Sequence, residues 1–206
     1  MNWLEKSLAA CAILAASALP SKAGGMLQQT GEPRWSASIF AGITDQDSQM
    51  FKAPRAVWDK SLREESIAGV ALAYRAGRFW NHFTLEFEGG IGGRFPDSNA
   101  SEAWAAAFVR FDGFPWKHVL YTSVGASVGV DYVSKLPASE LPTAGWPDRP
   151  TSKLLHYFAP EIAFALPDRR EHEVFARIHH RSGVWGLFDG VHGASDALVL
   201  GYRYRF

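Results

Sequence analysis

The last strand-like segment of this chain sets the tightest limit on its fold. Leu198, Leu200, Tyr202, Tyr204 and Phe206 share one parity, while Gly201, Arg203 and Arg205 share the other. Strict alternation marks an extended strand with two unlike faces. One face is aliphatic and aromatic, the other cationic. A charge facing lipid at mid-depth costs about 2–4 kcal/mol, so the arginine face belongs to an enclosed interior and the aromatic face to an apolar surround.

Seven further segments have β-branched, aromatic or alternating character between Gly, Pro, Asp or Asn breaks. They are Trp35–Gly42, Ser66–Arg75, Trp80–Ile91, Glu102–Phe111, His118–Val133, Lys153–Leu166 and His172–Ser182, with Ser195–Phe206 as the eighth. Their connections alternate in length. Ala76-Gly77, Asp112-Gly113-Phe114-Pro115 and Pro167-Asp168-Arg169-Arg170 are short; Ile43–Glu65, Gly92–Ser101, Ser134–Ser152 and Gly183–Ala194 are long. Short turns at one end and long loops at the other are the habit of outer-membrane barrels. Eight Trp, six Tyr and 14 Phe supply the aromatic girdles that such a wall uses.

The N-terminus is read as a signal peptide. Lys6 precedes an apolar run from Leu8 to Leu19, and Ser21-Lys22-Ala23 is a small-x-small cleavage site. Leu8-Ala9-Ala10-Cys11 has the look of a lipoprotein box, but too few residues precede it to form an apolar core. Cleavage after Ala23 removes Cys11, the only cysteine, and with it any disulfide or thiolate chemistry. Beyond Ala23 no apolar stretch approaches the roughly 18 residues of a membrane helix, and only helices and closed barrels satisfy their backbone in lipid. The expected fold is therefore all-β: a signal peptide over 1–23, then a closed, antiparallel, eight-stranded outer-membrane β-barrel over 24–206, destined for the outer membrane of a Gram-negative cell. Lys+Arg and Asp+Glu are both 21, so no net charge draws the chain to nucleic acid.

Alternation assigns the faces. Phe83, Leu85, Phe87, Phe158, Ile162 and Phe164 fall outward; Thr84, Glu86, Glu88, Glu161, Arg177, His179, Arg181, Arg203 and Arg205 fall inward. The expected lumen is a plug of paired charges, with about four arginines and three glutamates, since barrels of this size are filled by side chains.

One group contradicts the pattern. The phase that puts Arg177, His179 and Arg181 inside sends His180 and Ser182 outside, and Asp196 shares the outward face with Leu198 and Leu200. Same-face neighbours on a strand lie two residues apart, so His180 is within range of the Ser182 hydroxyl. Asp196, on the partner strand, is placed to hold the other imidazole nitrogen. Nucleophile, base and orienting carboxylate are the ingredients of acyl transfer. Equally, these polar groups sit near the membrane boundary, where headgroups meet them at little cost. Asp189, in the adjoining loop, is an alternative orienting group.

The segment Arg177-Ile178-His179-His180-Arg181-Ser182-Gly183, with Gly193-Ala194-Ser195-Asp196 and the terminal strand to Phe206, resembles the end of the lipid A 3-O-deacylase family. The resemblance is specific over about the last thirty residues. It implies an eight-stranded outer-membrane barrel with a serine-hydrolase triad on its outer wall. Position for position, Ser182 matches the nucleophile and His180 the base, and Asp196 stands as far from the final Phe as the family's glutamate. Two departures are clear. The family has Asn after the serine where this chain has Gly183, and Glu where it has Asp196. The implied reaction is ester hydrolysis on lipopolysaccharide, with the Gly183 backbone N–H as an oxyanion donor and no cofactor or metal.

Other patterns carry less. His179 and His180 fall on opposite faces and His192 in a loop, so these three do not form a metal site. Gly89-Gly90-Ile91-Gly92-Gly93 lacks the lysine and helix of a phosphate loop. The competing function is a non-enzymatic barrel, a scaffold or adhesion protein working through its long loops and surrounded by outer-membrane lipids. A homodimer is compatible with either function.

Overall fold

The computed structural model describes residues 27, 28, 31–45 and 62–206. The signal-peptide reading and most of the first long loop, with Phe51 and Trp58, lie outside the described residues. Eight antiparallel strands close on themselves in sequence order: β1 (Trp35–Asp45), β2 (Leu62–Phe79), β3 (Phe83–Phe95), β4 (Ala100–Phe111), β5 (Tyr121–Val133), β6 (Leu154–Leu166), β7 (Arg169–Ser182) and β8 (Ala194–Arg205). Closure comes from β1 pairing with β8 from Ser36↔Arg205 to Thr44↔Ala197, which leaves no edge strand unpaired. A 3-10 turn at Ala138–Glu140 is the one helical element among the described residues.

Three connections differ from expectation, one of them the expected short Asp112–Pro115 turn, which runs over residues 112–120 between β4 and β5. Ala76-Gly77 is not a turn: β2 continues to Phe79, and the register slips between Arg75 and Gly77 as a bulge. An extra residue in one strand is absorbed there without ending the ladder. The turn itself is Trp80-Asn81-His82, where Trp80 and Asn81 take φ of 47° and 60°. Likewise, most of the expected loop Gly92–Ser101 is strand, with only residues 96–99 between β3 and β4. The glycine run there is a packing device. Gly90 faces Trp104 directly across the β3–β4 pair, and a Cβ on it would lie 2.1 Å from the indole. Gly201 makes the same room for Phe175 opposite it on β7. Gly90→Val is therefore expected to lower stability by about 1–3 kcal/mol through overpacking, read as a lower midpoint in denaturant unfolding of the detergent-refolded barrel. An unchanged midpoint would show that Trp104 relaxes freely.

The assigned faces hold on every strand tested. Thr84, Glu86, Glu88, Glu161, Arg177, His179, Arg181, Arg203 and Arg205 are buried in the lumen, while Ile39, Leu72, Phe87, Ile162, Leu200 and Tyr202 are exposed on the wall. The lumen is richer in charge than the alternation reading counted, because Arg94, Glu102, Arg110, Asp131 and Glu173 also point inward. Their pairing is dense. Arg177 donates to Glu88 at 2.7 Å and to Glu161 at 2.8 Å, Arg203 to Glu161 and Glu173, and Arg205 to Glu86 and Glu173. Between these charges sits an aromatic layer of Phe40, Trp104 and Tyr157. At the short-turn end a girdle runs from Trp35–Tyr74 through stacked Phe79–Phe83, tilted Phe83–Phe111 and stacked Phe114–Trp116 to Tyr204–Phe206. Such a belt holds a barrel at the level of the headgroups.

Candidate active site on the outer wall

β7 and β8 pair with His180 directly opposite Asp196 and Ser182 opposite Ala194. The cross-strand position carries the imidazole to the carboxylate: His180 Nδ1 lies 2.5 Å from Asp196 Oδ1. With the carboxylate accepting, Nδ1 carries the proton and Nε2 is left as the basic nitrogen. The imidazole is 12% exposed and the Asp196 side chain fully buried. Asp196 Oδ2, also buried, has no hydrogen-bond partner among the described residues. A carboxylate on the lipid side of a barrel, with one oxygen unmatched, is an expensive arrangement.

Ser182 shares the outward face with His180 and lines the same pocket, of about 410 Å³, with His156, Phe158, Trp185 and His192. Among the described residues no hydrogen bond joins its hydroxyl to His180, so the histidine–aspartate pair is formed and the serine stands beside it. Asp189, the alternative orienting group, is engaged elsewhere: it accepts the Ser152 hydroxyl at 2.6 Å. The Gly183 N–H donates to Gly193 O at 3.2 Å, across the base of the loop. Gly183 is required there by close approach, since a Cβ would meet Val191 O at 1.9 Å.

The loop over the pocket, residues 183–193, is tightly wound. Phe188 N–H donates to Gly183 O, Gly186 N–H to Val191 O, and Gly190 N–H to Gly186 O. Val184 and Trp185 take positive φ of 48° and 52°, and Gly186 and Gly190 of 95° and 71°. A β-branched residue in that region is strained and is held only by its surroundings. Trp185 and Leu187 extend from the loop almost fully exposed, at 89% and 77%, and give it an apolar tip.

His156 escaped the sequence reading. It lies directly opposite Ser182 on β6, outward, with its Nδ1 buried and unpaired among the described residues. The signal was available, because the phase that puts Phe158, Ile162 and Phe164 outside puts His156 outside too.

No protein-family model and no curated protein matches this chain in sequence. Solved structures do match in shape. The outer membrane enzyme PagL superposes with a TM-score of 0.57 at 12% identity, over 83% of this chain and 99% of PagL. Neisserial surface protein A superposes with a TM-score of 0.48 at 11% identity, over 86% and 98% of the two chains. LpxR from Salmonella typhimurium gives 0.37 at 10% identity, over 87% of this chain and 69% of that one. At these identities the likeness establishes the fold alone. The chain is an outer-membrane-type barrel.

Proposed function

We propose that this protein is an outer-membrane ester hydrolase that releases an acyl chain from lipopolysaccharide, as its resemblance to the lipid A 3-O-deacylases implies. The observation that supports this reading most is the His180–Asp196 pair at 2.5 Å on the apolar outer wall, beside Ser182. In the lumen such a pair would be one more ion pair. On the wall it has no structural partner to serve, and acyl chains of the outer leaflet already lie against it.

The chemistry follows from the residue types. Ser182 Oγ attacks the ester carbonyl carbon while His180 Nε2 takes the hydroxyl proton, and Asp196 stabilises the imidazolium through Nδ1–H. Collapse of the tetrahedral intermediate breaks the ester C–O bond, and His180 returns the proton to the departing alcohol. Water, deprotonated by the same imidazole, then releases the fatty acid from the serine. The Gly183 N–H would serve the oxyanion by exchanging its bond to Gly193 O for one to the intermediate. Acting on lipopolysaccharide, the enzyme would work in the outer membrane of a Gram-negative cell after signal-peptide removal.

The test is mass spectrometry of lipid A from cells that express the protein or its Ser182→Ala variant. The expected result is loss of one acyl chain with the wild type alone. Identical lipid A in both strains, with folded barrel in each, would overturn the hydrolase reading in favour of a non-enzymatic barrel.

A further inference from the structure

The two ends of the lumen differ in charge balance. Towards the short turns, Glu86, Glu88, Glu161 and Glu173 are matched by Arg110, Arg177, Arg203 and Arg205. Beyond the layer of Phe40, Trp104 and Tyr157, towards the long loops, the match fails. There, among the described residues, four buried carboxylates share two guanidiniums and one imidazole. Glu65 and Glu102 lie on Arg94, Asp131 and Glu140 on Arg181, and His179 stands between Glu102 and Asp131. A buried charge left without compensation costs several kcal/mol, and with a neutral imidazole the described residues leave this end two positive charges short.

The side chains converge where those charges belong. Arg94 Nε holds Glu102 Oε2 at 2.5 Å, and Arg181 Nε lies 2.9 Å from Asp131 Oδ1. Glu102 Oε1 lies 2.5 Å from His179 Nε2 and also accepts from Arg94 Nη2 at 3.4 Å, while Asp131 Oδ2 faces His179 Nε2 at 3.8 Å. Asp131 is fully buried, and neither of its oxygens has a hydrogen bond among the described residues. One donor atom from each residue falls within 4.8 Å of the other two. Tyr157 OH lies 3.2 Å from His179 Nδ1, which fixes the ring and turns Nε2 towards the two carboxylates. Aromatic rings of Phe40, Trp104 and Tyr157 close around the imidazole.

We propose that Glu102, Asp131 and His179 bind a divalent transition-metal ion inside the barrel, through Glu102 Oε1, Asp131 Oδ2 and His179 Nε2. One such ion, with a neutral imidazole, supplies the two positive charges that the described residues of this end lack. Imidazole with two carboxylates suits zinc, cobalt or manganese; calcium prefers an all-oxygen shell. Donors of a tetrahedral zinc site, about 2.0–2.1 Å from the ion, stand about 3.4 Å apart. The histidine–glutamate pair would open and the histidine–aspartate pair would close, each by less than about 1 Å. The ion would pin β4, β5 and β7 beneath the loops. It uses none of the histidines of the outer pocket, so it stands or falls apart from the hydrolase reading.

The experiment is to refold the full chain in detergent with zinc or cobalt, remove the excess by gel filtration, and measure retained metal and heat-unfolding midpoint. The wild type and Ser182→Ala are expected to retain one ion per barrel, with a cobalt d–d band in the visible and a midpoint raised by zinc and unmoved by calcium. Asp131→Asn and His179→Gln should lose at least about tenfold in affinity. Should either variant fail to fold, the zinc-against-calcium shift of the wild type decides alone. Wild type that retains no more zinc than Asp131→Asn, or whose midpoint zinc leaves unmoved, would overturn the proposal. So would Asp131→Asn being the more heat-stable protein without metal while the wild type binds none, since protons would then carry the missing charge.

Discussion

Ser182→Ala is expected to refold into a heat-resistant barrel that has lost fatty-acid release from lipid A by a factor on the order of 10³ or more. The hydroxyl lies on the outer wall and carries no lumen contact, so its removal should leave the folded state intact. His180→Ala should fall as far, because a serine hydroxyl without a base is a poor nucleophile near neutral pH. Asp196→Asn should lose less than either, since that group orients the imidazole through a 2.5 Å bond without entering covalent chemistry. Arg181→Ala separates the two faces of the same strand. Its guanidinium is buried on Glu140 and Asp131, so it should cost stability before activity. The measurement is acyl release in mixed micelles from purified variants, each checked by the heat-dependent gel shift of a folded barrel. Activity in Ser182→Ala equal to wild type would remove this serine from any mechanism.

Glu161→Gln should be the most destabilising conservative change in the lumen. Its carboxylate is fully buried and accepts from three arginines: Arg177 at 2.8 Å, Arg203 at 2.8 and 2.9 Å, and Arg110. The amide keeps the shape but leaves three guanidiniums sharing one negative charge fewer. Breaking a buried pair in this way costs about 3–5 kcal/mol. Glu171→Gln, on an exposed side chain, should change stability by less than about 1 kcal/mol. Denaturant unfolding in detergent reads both. A Glu161→Gln barrel as stable as the wild type would mean that the lumen arginines find counter-charge elsewhere.

What could be read from residue order alone was everything governed by parity. The strand period of two, together with the cost of charge in lipid, put Arg177, Arg203 and Arg205 inside and Leu200, Tyr202 and Tyr204 outside. The same parity exposed His180, Ser182 and Asp196 as polar groups on an apolar wall. It also held the signal of His156, which went unread because a single histidine among aromatics draws no attention without its cross-strand neighbour. Strand ends were less legible. Gly92 and Gly93 look like the start of a loop by composition, yet they are strand, because ladders to β2 and β4 pair them on both sides.

Tertiary structure decided whatever depends on register, because register is a relation between segments far apart in the chain. Only the β7–β8 pairing brings Asp196 opposite His180, where a shift of one residue would have sent the carboxylate into the lumen. Closure of the sheet likewise gathers Glu102 of β4, Asp131 of β5 and His179 of β7, which are widely separated along the chain and meet only across the interior. Periodicity tells each residue which way to face. Which residue it then faces is settled by the closed ladder.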